Sequence, residues 1–266
     1  MFRRVSVSAR MRAGAAWLGL FLMAVCFVRL ITMPLPERKA SAPPNPKNSF
    51  VTVVLDPGHG GYDSGSVCGT VLEKDLTLDV VQRVDRLLRA NGIATLMTRH
   101  DDTFVSLGRR ARIANHVRDC IFVGIHFNEG ERPAASGIET YYADRQSMPL
   151  PRLISWIPFL SPLASADSPN IDSQSLAAFV QQSLVTQTCA VDRGTKGRQF
   201  FVIAHVTHPA VLVEGGFLSS KDEMAKLANP DYREKLAEAI TDGILHYRDA
   251  EKQEQVTLAV TAPVRR

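Results

Sequence analysis

"VTVVLDPGHGGYDSG", Val51 to Gly65, opens with an apolar run and breaks into a glycine-rich loop that carries one histidine. Five β-branched or leucine residues with no polar partner between them predict a strand buried on both faces. The pattern then recurs. "LTLDVVQRVDRLLRANG" sets Leu76, Val80, Val81, Val84, Leu87 and Leu88 on one helical face and closes on Gly92 as a C-cap. "IATLMTR" is a second strand, "SLGRRARIANHV" a helix with Ser106 as its candidate N-cap, and "CIFVGIHFN" another continuous apolar strand. "GIETYYA", "QFFVIAHV" and "AVLVEGGFL" read as further strands; "SLAAFVQQSLV" and "DYREKLAEAITDGILHYRD" read as helices. Apolar strands alternating with amphipathic helices predict an α/β fold, a single domain with a mostly parallel central sheet covered by helices on both faces.

The flanks have another character. Arg3, Arg4, Arg10 and Arg12 precede the apolar run Ala13 to Val28, the shape of a secretory signal. The run stops at Arg29, short of the roughly 20 residues of a spanning helix unless "LITM" extends it. A cleaved signal peptide and a retained signal anchor over residues 1–33 are both open. Either exports the chain to the periplasm or cell envelope, and an anchor would hold it to the inner membrane with its N-terminus inside. Residues 34–49 are expected to form a Pro-rich polar linker, residues 50–250 the folded domain, and residues 251–266 a flexible tail. Within the domain, 144–172 is a Pro- and Ser-rich variable insertion carrying "LISWIPFL". The net charge is +4, with much of the basic excess in the leader and the last two residues. No basic stripe interleaved with aromatics exists, which argues against nucleic acid as a partner. Outside the leader stand Cys68, Cys120 and Cys189, with no CxxC spacing, which disfavours a cysteine zinc site and suits buried free thiols.

In doubly covered sheets ligands bind beyond the carboxyl ends of the strands. His59 follows the first strand, His126 and Asn128 end "CIFVGIHFN", and Glu214 follows "AVLV". Glu73 stands just before the first helix. Singly, each has a plain reading: a satisfied loop histidine, an acid at a helix N-terminus, a cap for a glycine turn. Together they put two imidazoles and two carboxylates on one rim. Two imidazoles and a carboxylate suit zinc, and a second carboxylate beside a metal-held water is a ready general base. His205 and His208 flank a loop and read as surface or cleft-lining; His100, His116 and His246 do not join the group.

"LDPGHGGYDSG", "EKDLTLDVVQRVDRLLRANG", "TR", "LGRRARIAN", "GIHFNEG", "GIETYY", "RGTKGRQFFVI" and "PAVLVEGGFLSSKDE" follow in the order seen in the zinc-dependent N-acetylmuramoyl-L-alanine amidases, bacterial cell-wall hydrolases. The chain resembles that family from Thr52 to Tyr247. The resemblance implies Zn2+ held by His59, Glu73 and His126, and Glu214 as the catalytic carboxylate. It implies peptidoglycan as substrate, cut between the lactyl group of N-acetylmuramic acid and L-alanine, for wall remodelling or daughter-cell separation. Two positions depart from the family pattern: Gly124 stands where Ser is usual, and Glu129 where Ala is usual. In some members an insertion at 144–172 covers the cleft; here it reads as a lid, a docking surface for an activator protein, or a surface loop. The glycines around His59 are expected to keep side chains away from a bulky substrate, and Asp56 to accept from a ligating ring or cap the loop. Arg193 and Lys196 in "RGTKG" read as holders of stem-peptide carboxylates or as a solvated turn, and Asn128 as a substrate contact or a loop fastener. The competing functions are a zinc peptidase on other peptides and an inactive cell-wall-binding regulatory module; the intact set of four argues against the second.

Overall fold

Strand β1 (Thr52–Pro57), buried at every residue after Thr52, is an interior strand of a six-stranded sheet, second from its edge. The computed structural model describes residues 50–130, 135–145 and 170–261. The expected leader and linker, most of the 144–172 insertion and the last five residues lie outside that description. Among the described residues, no helix is long and apolar enough to cross a membrane.

After β1 come the short hairpin β2 (Val67–Cys68) and β3 (Val71–Leu72), then α1 (Glu73–Ala90), β4 (Ala94–Met97), α2 (Leu107–Asn115), β5 (Cys120–Asn128) and β6 (Ile138–Tyr142). They are followed by α3 (Ile171–Thr188), β7 (Asp192–Gly197), α4 (Phe201–His205), β8 (Ala210–Phe217), α5 (Lys221–Ala228) and α6 (Pro230–Thr261). The sheet order is β4-β1-β5-β8-β6-β7. β4, β1, β5 and β8 are parallel; β6 runs antiparallel to β8, and β7 runs parallel to β6.

Strand parity divides the core. Val53, Leu55, Ile121, Val123, Ile125, Phe127, Val211 and Val213 point to one face, where α1, α3 and α6 cover them with Val80, Val84, Leu176, Val180, Leu236 and Ile240. Val54, Cys120 and Phe122 point to the other face, under α2 and α4. The second cover is short, and among the described residues no further helix follows it over the carboxyl end of that face. The alternate residues Asp56, Gly124, His126, Asn128, Leu212 and Glu214 belong to this face.

Several expectations change. "QFFVIAHV" is not a strand: Phe201–His205 forms α4, and the strand is the polar "DRGTKG" before it. Val202, Ile203, Ala204 and Val206 are buried against the smaller face. A short apolar run reads alike for a buried strand and a covering helix, and a polar edge strand carries no such run. Helix α6 runs past the expected domain boundary at residue 250 and continues to Thr261. At the end of α1 the cap is Asn91, and Gly92 follows it with φ +72°. Ser106 occupies the α2 N-cap position through its backbone, whose carbonyl accepts from Arg109 and Arg110, while its side chain caps nothing. Phe50 is buried and stacks on Tyr247, ring centroids 6.0 Å apart.

Candidate metal centre

Three elements deliver three donors. His59 lies one turn past β1 in the left-handed region, φ +58°, an uncommon backbone for a residue with a side chain. His126 ends β5, and Glu73 is the first residue of α1. His59 Nε2 lies 3.0 Å and His126 Nδ1 3.1 Å from the same Glu73 oxygen, Oε1. These are the only three described residues that form a group able to hold a metal ion. Two ring nitrogens aimed at one carboxylate oxygen match a shared cation: tetrahedral zinc with bonds near 2.0–2.1 Å keeps its ligand atoms roughly 3.3 Å apart. Glu73 is buried, and its Oε2 accepts from Ser66 N at 2.9 Å. Burial opposes its charge, yet bonds from His126 and His59 outweigh that and hold the carboxyl well below the usual range. For His59, burial lowers the pKa, but the bonds to Glu73 and Asp63 more than reverse it, so the net direction is up.

The residue behind His59 is Asp63, which sequence reasoning passed over. Its Oδ1 accepts from His59 Nδ1 at 2.9 Å and from Gly65 N at 3.2 Å. That fixes the ring so Nε2 faces the cluster. Asp56 has another role: it is buried and bound to Thr98 and to Arg110 Nη1, the latter at 2.7 Å. Parity explains this, since Asp56 points beneath the loop toward α2. Arg110 also donates to the carbonyls of Pro57 and His59, and Arg99 to those of Pro57 and Gly58. The motifs "TR" and "LGRRARIAN" thus supply two buried guanidiniums that pin the loop.

Two glycines of the loop make room for ligand side chains. A Cβ on Gly58 would stand 2.4 Å from the His126 ring. One on Gly65, φ +63°, would stand 2.5 Å from Glu73 Oε2 and 2.6 Å from the His59 ring.

Glu214 is the register partner of His126 across β5 and β8, and of Glu139 across β8 and β6. Neighbouring strands lie about 4.8 Å apart, which sets Glu214 beside the cluster. Its Oε2 is buried without a hydrogen-bond partner. Burial, then the negative charges of Glu73 and Glu139, push its pKa well up. A carboxyl in these surroundings holds its proton more readily than a free one.

Glu139, not singled out from the sequence, gathers the three expected substrate contacts. Its Oε1 accepts from Asn128 Nδ2 at 2.8 Å and from the Tyr141 hydroxyl at 2.6 Å. Its Oε2 accepts from Arg193 Nε at 2.9 Å and from Lys196 Nζ. Burial would raise its pKa, but Lys196, Tyr141 and Arg193 bring it below the ordinary value. "GIETYY" gave the strand, and the inward position of its acid was the available signal. Glu129 takes Ser66 Oγ at 3.3 Å, and Gly124 has room for a Cβ, 3.5 Å from the nearest atom, Phe122 Cε1. His205 stays outside, its ring on Phe201 and its Nδ1 at the Phe201 carbonyl. All three described cysteines are free; Cys120 is buried, its thiol pushed up to about 12 by burial and by Asp119, but Cys189 is exposed.

The family model for N-acetylmuramoyl-L-alanine amidase matches residues 53–246. The chain belongs to this amidase family. It is 33% identical over 203 residues to the N-acetylmuramoyl-L-alanine amidase LytC of Bacillus subtilis, over 76% of this chain and 36% of LytC. It therefore spans about a third of that relative's length. Among solved structures, the family's N-acetylmuramoyl-L-alanine amidase from Clostridium difficile 630 superposes with TM-score 0.63 at 33% identity, covering 76% of this chain and 98% of that one. The CwlD amidase from Clostridioides difficile, solved in complex with the GerS lipoprotein, gives TM-score 0.63 at 27% identity, over 75% and 99% of the two chains. These neighbours are amidase catalytic domains, and they share the single α/β domain with its mostly parallel sheet.

Proposed function

We propose that this protein is a zinc-dependent amidase of peptidoglycan, cutting the amide between N-acetylmuramic acid and L-alanine in the cell envelope. The observation that carries the reading is one carboxylate oxygen of Glu73 facing His59 Nε2 and His126 Nδ1, beside a Glu214 oxygen that is buried and unpartnered. His59, Glu73 and His126 would hold the zinc. Bound there, it would supply Lewis acidity toward the amide carbonyl and a water.

The remaining work falls to the chain's own residues. Glu214 Oε2 accepts the proton of the attacking water as its oxygen adds to the carbonyl carbon. The same carboxyl then donates that proton to the nitrogen of L-alanine as the C–N bond breaks. Burial raises the pKa of this carboxyl, which favours its taking up the proton of the water. Asp63 holds His59 in one tautomer and orientation. Asn128, Arg193 and Lys196, fastened through Glu139, receive the stem peptide. Export follows from the leader, and an activator protein is proposed to engage the 144–172 segment. The CwlD neighbour, solved with a lipoprotein, is a precedent for a partner within the family.

Metal analysis and turnover on purified sacculi test the assignment together. His59→Ala and His126→Ala are expected to lose zinc and activity; Glu214→Ala keeps zinc and loses about 10²- to 10⁴-fold in turnover. Products must be stem peptides with free L-alanine amino termini and intact glycan strands. Cuts elsewhere in the peptide would make it a peptidase, and a Glu214 variant without zinc would make Glu214 a ligand.

A further inference from the structure

The polar row His126–Glu214–Glu139 crosses three neighbouring strands, and its two ends differ in chemistry. Beyond His126, on the β1 side, stands the loop of His59. Tyr62 leaves it 83% exposed and stacks on Phe104, itself 37% exposed, with ring centroids 4.3 Å apart and planes at 28°. The pair rests on a fastened base. Gly61 N donates to Asp102 Oδ1 at 2.7 Å, and Lys74 Nζ bonds both the Gly61 carbonyl and Asp102 Oδ2. Phe104 also lines a cavity of about 300 Å3 together with His59, His126, Phe122 and Gly124, so one ring of the pair borders the same space as two of the ligand histidines. Leaving Tyr62 in water contributes nothing to the core.

Beyond Glu139, on the β7 side, stand Arg193 and Lys196, each about a third exposed. Both bond the single oxygen Oε2 of Glu139, whose other oxygen is already taken by Asn128 and Tyr141. Arg193 and Lys196 share this one carboxylate oxygen, so both keep further N–H donors for an incoming anion.

We propose that the substrate crosses the row in one direction only, with the glycan on Tyr62–Phe104 and the stem peptide over Arg193–Lys196. This rests on the amidase reading above and adds a glycan-binding site to it. The substrate's two halves are chemically unlike. A pyranose ring presents C–H faces that suit a flat aromatic surface, as two rings suit each other. A stem peptide carries carboxylates, which suit guanidinium and ammonium donors. Reversed, the carboxylates would meet two rings and one phenol hydroxyl in place of two cations, and the sugar would lose the flat Tyr62–Phe104 surface for one overlaid by Arg193 and Lys196.

Titrating zinc-loaded protein with two probes tests the direction: a stem-free oligosaccharide of alternating N-acetylglucosamine and N-acetylmuramic acid, and the free pentapeptide stem. Tyr62→Ala is expected to weaken oligosaccharide binding up to about ten-fold and leave the pentapeptide unchanged. Lys196→Ala is expected to do the reverse. Tyr62 is exposed, so folding is not at issue, and unchanged zinc content verifies the site. The crossed pattern, equal losses on both probes, no loss on either, or wild type that binds neither probe overturns the proposal. Turnover of the intact muropeptide separates the two claims. Binding as expected without cleavage refutes the amidase reading alone, and cleavage without an effect of Tyr62 refutes the direction alone.

Discussion

Asp63 shows how a residue's role follows from the ring it faces. It takes the Nδ1 side of His59 and leaves Nε2 for the Glu73 cluster. Asp63→Asn keeps the shape and removes the charge, so metal affinity should fall about 10- to 100-fold by chelator competition, with the fold intact by circular dichroism. At this scale the sequence was informative in a particular way. His59, His126 and Glu214 were legible because each is a polar residue at the end of an apolar strand. Glu73 was legible only with them, since an acid opening a helix is ordinary. Asp63 and Asp56 could not be told apart: both flank the histidine in one loop, and only backbone path decides which carboxylate meets the ring. Glu139 was legible only as an acid inside a predicted strand, where Glu is uncommon; which groups it meets depends on strands that lie far from it in sequence.

The elements that matter most to the site are the two that pin the glycine loop. Arg110 on α2 is buried, pairs with Asp56, and donates to the Pro57 and His59 carbonyls. Arg110→Ala strands the Asp56 charge and should cost about 3–5 kcal/mol in denaturant unfolding. Adding Asp56→Leu to Arg110→Met should recover much of that stability, because an apolar pair can replace a buried ion pair. Metal affinity should stay low in the double variant, because the loop carbonyls are still unheld; recovery of both would show that Arg110 only stabilises. The same scale explains the misread stretch. "FVIAH" covers the smaller face as α4, although its composition suits a strand equally well. A five-residue apolar run carries no period long enough to separate the two.

At the scale of the molecule, α1 and α6 are clamped across their polar edges. Asp79 and Arg83 on α1 meet Arg233 and Glu234 on α6. Burial works to raise Asp79, but Arg83 and Arg233 bring its pKa below the ordinary value; Arg86, against slight burial, and Arg83 do the same for Glu234. A depressed folded pKa means stability that is full above the unfolded value and lost as pH falls through the folded one. Thermal midpoints should therefore drop between about pH 5 and pH 2, and Asp79→Asn with Glu234→Gln should flatten that slope; an unchanged slope would remove the clamp from the account. The sequence by itself determined the α/β class, the apolar strands and the polar residues at their ends, because periodicity and burial are local properties of a chain. Only the tertiary structure decided that β6 turns antiparallel to β8 and so sets Glu139 opposite Glu214. Only it decided that Tyr62 and the Arg193–Lys196 pair stand at opposite ends of one row. Strand order and direction depend on which surfaces pack together, and residues more than fifty positions apart carry no mark of that in their spacing.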